Sequence, residues 1–367
     1  MKLENGHISG RALMFSVFCF MQGTMLRSAF IVAVTRNDSW VMALSGLLFS
    51  LPLVAIYVAL IRRFEQKSLF EINELVFGPV LGRVFSLLYL FFFLTLAALN
   101  THDLGDFVIG YMMPETPLPA VILLFVIVCV YAIRKGIQNM VRLSTALCAV
   151  SIGAIVINTV LVLKDIELSF LKPFFQLPLE KYIQATATVT AIPMGEIVAF
   201  TMITPMLSKD EKPGKMMASG LALSAALLMI ILLRDIATMG PLLSLIRLPS
   251  FESIRYISLA GVLTRMESLY AIILISLFLF KVVMLLYASV LGLAQLMNFK
   301  SYSPLTLICG GFIFFYSLIV YKSLMENSDW GATTAVFFSL TFEFLLPVIT
   351  LAVASLKKTA KPKAVEG

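Results

Sequence analysis

The chain has 367 residues, of which 60% are hydrophobic and 13% are charged, and its formal net charge is +7. A soluble domain of this length carries about a quarter charged residues, so the composition excludes a water-soluble globular protein and indicates a membrane protein. The basic residues stand in short loops between apolar runs, and this arrangement indicates membrane orientation rather than nucleic-acid binding.

Ten apolar segments follow one another and predict an all-α integral membrane protein of about ten transmembrane helices in a single domain. Most of them can cross the ~30 Å hydrocarbon core at ~1.5 Å per residue. Segments one to ten cover residues 11–35, 40–61, 83–106, 118–134, 141–163, 183–206, 216–239, 264–291, 304–322 and 334–356. Two loops, 63–82 and 247–263, space their apolar residues as short helices do, the first on the cytoplasmic side and the second on the outer side.

The loops on one side of the predicted membrane hold about twice as many Lys and Arg residues as the loops on the other, so both termini are predicted to be cytoplasmic. The cysteines lie within apolar segments and lack the spacing of a metal site. They are therefore predicted to be small buried residues: Cys19, Cys129, Cys148 and Cys309.

Segment six contains the run Ala191-Ile192-Pro193-Met194-Gly195-Glu196. Pro193 lacks a backbone donor, Gly195 weakens the helix, and Glu196 brings a carboxylate near mid-membrane. Together they predict a discontinuous helix whose free backbone groups line a cavity enclosed by protein. A simple proline kink is the alternative.

Segment one has a weaker counterpart in Gln22-Gly23-Thr24, for which a small-residue packing contact is the alternative. Segments one and six are five apart, which is the spacing of a five-plus-five repeat whose second half is inverted. The repeats are predicted at about 11–165 and 183–356, and paired interruptions in the two halves indicate a transporter-like binding site.

Ionisable residues deep in the predicted membrane are Arg27, Glu196, Lys281 and Glu343, and each is costly there without a partner. Helix length places Glu196 about 20 Å deep and Lys281 about 25 Å deep, a difference that a lysine side chain can cover, so these two are predicted to interact. Arg27 and Glu343 lie at similar depths, ~12 Å and ~13 Å from the outer ends of their segments, which predicts a second pair.

Other charged residues lie nearer the outer ends of their segments. Arg234 and Asp235 are predicted to form an interfacial pair at the end of segment seven. The end of segment three carries His102, Asp103 and Asp106, which predict either a solvated helix end or a vestibule.

Nothing in the sequence predicts an enzyme. The histidines are His7 and His102, and there is no Ser-His-Asp set, zinc-protease motif or Gly-rich phosphate loop. No cofactor or metal site is predicted.

The stretch Pro193-Met194-Gly195-Glu196-Ile197-Val198-Ala199-Phe200, followed by Met202 and Pro205, resembles the segment-six signature of the spore germination permease family. Arg265 to Leu269, Phe280-Lys281 and Tyr287 resemble the family's eighth segment, and Leu248 to Tyr256 resemble the loop before it. These proteins are the B subunits of germinant receptors, within the amino acid–polyamine–organocation superfamily. The likeness extends over essentially the whole chain in segment count and loop placement.

The resemblance implies a LeuT-type fold with the ligand between segments one, three, six and eight. It also implies the inner membrane of a bacterial spore, a small-molecule germinant such as an amino acid, and partner A and C subunits. An ion-coupled amino acid permease is the main alternative, and a membrane scaffold with an empty site is a weaker one.

Residues expected to contact the ligand lie at the two interruptions and on segment eight: Gln22, Gly23, Thr24, Ala191, Pro193, Met194, Gly195, Glu196 and Lys281. A ligand carboxylate would meet backbone amides near Gly23 and Thr24, and its ammonium would meet carbonyls between Ala191 and Met194. In the implied fold, Arg27 and Glu343 border the outer entrance, so their pair is either a gate or a static link between helices.

Overall fold

A computed structural model describes residues 7–25, 29–208, 210–246, 248–256 and 266–357. Within these ranges every regular element is helical, apart from an isolated bridge between Ile8 and Leu207. The α-helices are α1 (Gly10–Met25), α2 (Ala29–Thr35), α3 (Ser39–Arg63), α4 (Leu69–Phe107), α5 (Leu118–Arg134), α6 (Ile137–Leu161), α7 (Leu179–Val189), α8 (Pro213–Met239), α9 (Pro249–Tyr256), α10 (Met266–Leu296), α11 (Leu305–Ile319), α12 (Leu324–Ala332), α13 (Thr334–Leu340) and α14 (Leu346–Leu356). The all-α prediction is confirmed.

Each predicted transmembrane segment coincides with helix. Seven helical stretches of the described chain are long and apolar enough to cross a membrane, and they correspond to segments two, three, five, six, seven, eight and ten. Segments four and nine are the shorter apolar helices α5 and α11. The described parts of segment one form α1 and α2.

The loop before segment three forms the short helix that its spacing predicts. Ser68 caps it, because its hydroxyl accepts from the amide of Glu71 while the Glu71 carboxylate accepts from the amide of Ser68. The short helix ends at Gly78, whose φ of 84° favours glycine, and Pro79 then starts the spanning part of α4.

The long helix α10 lies at the centre of the bundle, because it packs against α1, α4, α5, α6 and α11. Its middle is fully buried, including Phe278, Phe280 and Lys281. Large apolar side chains on the outside, such as Leu124 and Phe315, stay exposed, as expected of surfaces that contact lipid.

The second predicted loop helix is present as α9, and residues 247 and 257–263 of that loop lie outside the described ranges. Against expectation, Arg234 and Asp235 are not interfacial, since their exposed fractions are 3% and 0%. Helix α9 covers them, and the Ser250 hydroxyl donates to Asp235 Oδ2 at 2.6 Å. The structure also contains α12, a short helix between segments nine and ten that the hydropathy pattern does not predict.

Candidate ligand site at the broken helices

Segment six is interrupted at the predicted place. Helix α7 ends at Val189, a wide π-helical turn covers Thr190–Met194, and a 3-10 helix continues over Gly195–Met202. Ile192 has non-helical dihedrals (φ −119°, ψ 109°), since the residue before a proline is disfavoured in the α region. The change of helix type releases backbone groups from the regular α-helical ladder, so the discontinuous helix is confirmed and a simple kink is excluded.

In segment one, helix α1 extends through Gln22, Gly23 and Thr24 to Met25, and the next described helix is α2, Ala29–Thr35. Residues 26–28 lie outside the described ranges, and Arg27 is one of them. The predicted pair of Arg27 with Glu343 therefore stays a prediction.

The predicted interaction of Glu196 with Lys281 is confirmed. The Lys281 ammonium forms an ion pair with the Glu196 carboxylate, and the exposed fractions of the two side chains are 0% and 2%. The same ammonium donates to Thr24 Oγ1 at 2.5 Å and lies 4.8 Å from the ring centroid of Phe20. Lys281, on segment eight, therefore connects segment one to the broken segment six.

A cavity of about 90 Å³ lies beside this ion pair. Since one buried water needs ~10–15 Å³, a space of this size holds several waters or one small solute. Segment one contributes Thr24, segment three Asn100 and Asp103, and segment six Ile192 and Glu196. Segment ten and α12 complete the wall with Ser339, Phe338, Asn327 and Trp330. The cavity thus has polar groups from five elements and apolar surface between them.

Of the residues predicted to contact ligand, Thr24 and Glu196 line this cavity. Gln22 instead donates to the carbonyl of Ser224 on segment seven at 3.4 Å. Gly23 faces segment eight, where an added Cβ would lie 3.1 Å from the carbonyl oxygen of Leu277. This close approach of two backbones is the packing contact that was the alternative for Gly23.

The remaining residues of the segment-six break are buried around it. Ala191 and Pro193 lie within the bundle, and Met194 borders Gly46 of α3. Gly195 faces Glu343 of segment ten so closely that an added methyl group would overlap the carboxylate. Direct ligand contact by these residues stays a prediction.

Several lining residues were not predicted as ligand contacts. Asn100 and Asp103 are three residues apart and therefore share one face of α4, a spacing that could have revealed them. Asn327 of α12 donates to Asp103 Oδ1 at 2.7 Å, so α12 is joined to the cavity wall.

The prediction of a solvated end for segment three is wrong, because His102 and Asp106 are only 6% and 9% exposed.

The comparison with known sequences decides the family. Residues 7–327 match the family described as spore germination protein. The chain belongs to this family. Spore germination protein KB of Bacillus subtilis (strain 168) is 27% identical over 367 residues, an alignment that covers 99% of this chain and 98% of that protein.

Solved structures similar to this member of the spore germination family are transporters with the LeuT-type fold. Mhp1, a nucleobase-cation-symport-1 family transporter in a closed conformation with bromovinylhydantoin bound, has a TM-score of 0.70 at 13% identity, covering 96% of this chain and 79% of that one. A Na⁺-coupled sialic acid symporter in a substrate-bound outward-open state has a TM-score of 0.66 at 12% identity, covering 97% of this chain and 85% of that one. At these identities the likeness shows the fold, which confirms the LeuT-type architecture, and the discontinuous segment six is described above.

Proposed function

We propose that this germination-family membrane protein is the B-type subunit of a spore germinant receptor, and that it binds a small amino acid in the cavity between segments one, three, six and ten. The observation that carries the proposal is the cavity itself. It lies at the segment-six break and next to the Glu196–Lys281 pair, in a chain whose relatives are germination proteins.

The chemistry of the cavity fits a zwitterion with a small side chain. Because Lys281 balances the charge of Glu196, the Asp103 carboxylate supplies the negative charge that favours a ligand ammonium group. The break at Ile192 supplies backbone carbonyls near the same wall, and the Thr24 hydroxyl adds a polar group on segment one. Phe338 and Trp330 provide apolar surface for a side chain.

The Lys281 ammonium is the element that can pass ligand binding on to the rest of the bundle. It contacts Thr24 and Glu196 at once, so a ligand that displaces either wall residue changes how segments one and six are held together. A ligand that binds one arrangement of the helices more tightly shifts the conformational population towards it. Partner A and C subunits that contact the protein respond to that change. The setting that we propose is the inner membrane of a bacterial spore, with both termini in the cytoplasm.

An ion-coupled amino acid permease is the second candidate, and the transporter fold favours it. The two candidates differ in what happens after binding. A receptor subunit binds its germinant without net transport, whereas a permease moves the amino acid across the membrane.

The test uses the full chain, purified and reconstituted into liposomes, with a panel of radiolabelled L-amino acids. We expect saturable binding of at least one small amino acid and no accumulation of label inside the liposomes. Asn100→Leu, which fills the cavity from segment three, should abolish binding, and Leu124→Ala on the lipid-facing surface is the matched control. Accumulation of label would establish the permease instead, and absence of binding across the panel would contradict the amino acid site.

A further inference from the structure

Glu343 stands at a point where segment ten changes its helical geometry. It lies on a π-helical turn, Thr341–Leu345, between α13 and α14, and it is completely buried. Its carboxylate packs directly against Gly195, with no space for a methyl group between them. The carboxylate and the segment-six break are therefore in contact, so neither can move without changing the surroundings of the other.

Two buried tyrosines next to Glu343 direct their hydroxyl groups to backbone carbonyls. Tyr57 donates to the carbonyl oxygen of Glu343 at 2.6 Å and to that of Gly195 at 3.2 Å. Tyr89 donates to the carbonyl oxygen of Phe342 at 3.0 Å. Among the described residues, neither carboxylate oxygen of Glu343 has a hydrogen-bond partner.

The charges nearby are already balanced without Glu343. In the described part of the chain, the charged groups that act on Glu343 are Glu196 and Lys281, and these two form the ion pair beside the cavity. One positive and two negative charges would sum to −1 if Glu343 were ionised, whereas a neutral Glu343 leaves the group at zero. An ionised carboxylate buried without hydrogen bonds is strongly disfavoured in a membrane interior, so the neutral acid is the stable form here.

We propose that Glu343 is a proton-binding site, which holds its proton while Gly195 packs against it and releases that proton when the segment-six break moves away. On release the carboxyl O–H bond breaks, its electron pair stays on the carboxylate oxygen, and water that enters the opened contact accepts the proton. A proton fits the site better than a metal cation, because the tight contact with Gly195 leaves no room for an ion on that face.

Only one part of this inference rests on the proposed function, namely that a bound germinant moves the segment-six break. The bound proton is a property of the ligand-free protein and can be measured without any germinant. The predicted pair of Glu343 with Arg27 makes the opposite claim, since a carboxylate paired with a guanidinium stays ionised.

The test is infrared spectroscopy of the purified full-length protein in lipid at neutral pH, in H₂O and D₂O. We expect a carbonyl stretch of a protonated carboxylic acid that shifts in D₂O, that Glu343→Gln removes, and that the double variant Glu196→Gln/Lys281→Met, which removes both charges of the ion pair, retains. Glu115→Gln, at an exposed loop position, is the matched control and should leave the band unchanged. Should Glu343→Gln fail to accumulate, wild-type and Glu196→Gln/Lys281→Met proteins with ¹³C-labelled glutamate carboxyl groups replace it, and the band should shift with the label in both.

Absence of a protonated-acid band from the wild-type spectrum would overturn the proposal. So would a band that survives Glu343→Gln, or one that does not shift with the glutamate label. Spectra recorded in sodium chloride and in choline chloride separate a proton from a metal cation. A band that appears only after sodium is removed would assign the site to sodium and also overturn the proposal.

Discussion

Lys281→Met is expected to lower the Tm of the purified protein and its abundance in the membrane more than almost any other single substitution. It leaves the Glu196 carboxylate, which is 2% exposed, without its positive partner. Breaking a buried ion pair from one side costs about 3–5 kcal/mol, because an uncompensated charge remains inside. Glu196→Gln should cost a similar amount for the same reason.

The double variant decides whether the two charges act as a unit. Lys281→Met combined with Glu196→Gln removes both charges and should be less destabilised than the two single effects predict when added. The wild-type protein, the two single variants and the double variant are heated in detergent. The fraction of each that stays monodisperse at each temperature gives its Tm. Strictly additive losses would contradict the pairing.

Lys67→Met provides the matched control for this cycle. Lys67 pairs with Glu71 at 3.2 Å, but its side chain is 44% exposed. An exposed pair of this kind contributes at most about 1 kcal/mol, so the Tm should hardly change. A loss as large as that of Lys281→Met would show that the assay reports charge removal in general.

Asp235→Asn is expected to have an effect of similar size at a second buried ion pair. Asp235 Oδ1 accepts from Arg234 Nε at 2.9 Å and from Arg234 Nη2 at 2.6 Å, and both side chains are buried. Removing the negative charge leaves the guanidinium buried without an anion, at a cost of about 3–5 kcal/mol. Loosening of α9 should accompany the loss, because Ser250 donates to the same carboxylate.

Limited proteolysis and thermal unfolding of the Asp235→Asn protein check this expectation. The matched control is Glu252→Gln on α9, where the pair with Arg255 is 3.6 Å long and the arginine side chain is 66% exposed. That control should lower the free energy of unfolding by less than about 1 kcal/mol, so its Tm should hardly change. Equal Tm values and equal rates of proteolysis for Asp235→Asn and Glu252→Gln would contradict a structural role for the buried network.

The sequence predicts those features that depend on depth and on the cost of burying charge. Pro193 and Gly195 predict the break of segment six from backbone chemistry alone. The pairing of Glu196 with Lys281 follows from matched depth, since each charge needs a partner in the membrane. These predictions succeed because the bilayer sets a common vertical scale for all segments.

The rotation of each helix about its axis is harder to predict. Lipid and bundle interior are equally apolar, so hydropathy does not distinguish the two faces of a transmembrane helix. For this reason the sequence does not reveal that Gly23 faces Leu277, or that Asn100 lines the cavity. His102 and Arg234 are buried by short elements such as α9 and by neighbouring helices. The pattern of apolar residues does not predict where those elements pack.

The location of Glu343 changes how segment ten is understood. Matching depth suggests an entrance gate, whereas the structure brings this carboxylate against the segment-six break, with Tyr57 hydrogen-bonded to both backbones. Segments six and ten are thus joined at the segment-six break. A ligand that moves the break would therefore also change the environment of Glu343.

The central claim, that the germinant occupies the cavity between segments one, three, six and ten, can be tested through Trp330. The chain has two tryptophans, Trp40 and Trp330, and Trp330 lines the cavity. Trp40→Phe leaves Trp330 as the reporter, and Trp330→Phe leaves Trp40 as the matched control. We expect the amino acid that binds in liposomes to cause a saturable change in the fluorescence of the Trp40→Phe protein and none in the Trp330→Phe protein. Binding of that amino acid with unchanged Trp330 emission, or with a change carried by Trp40, would contradict the claim.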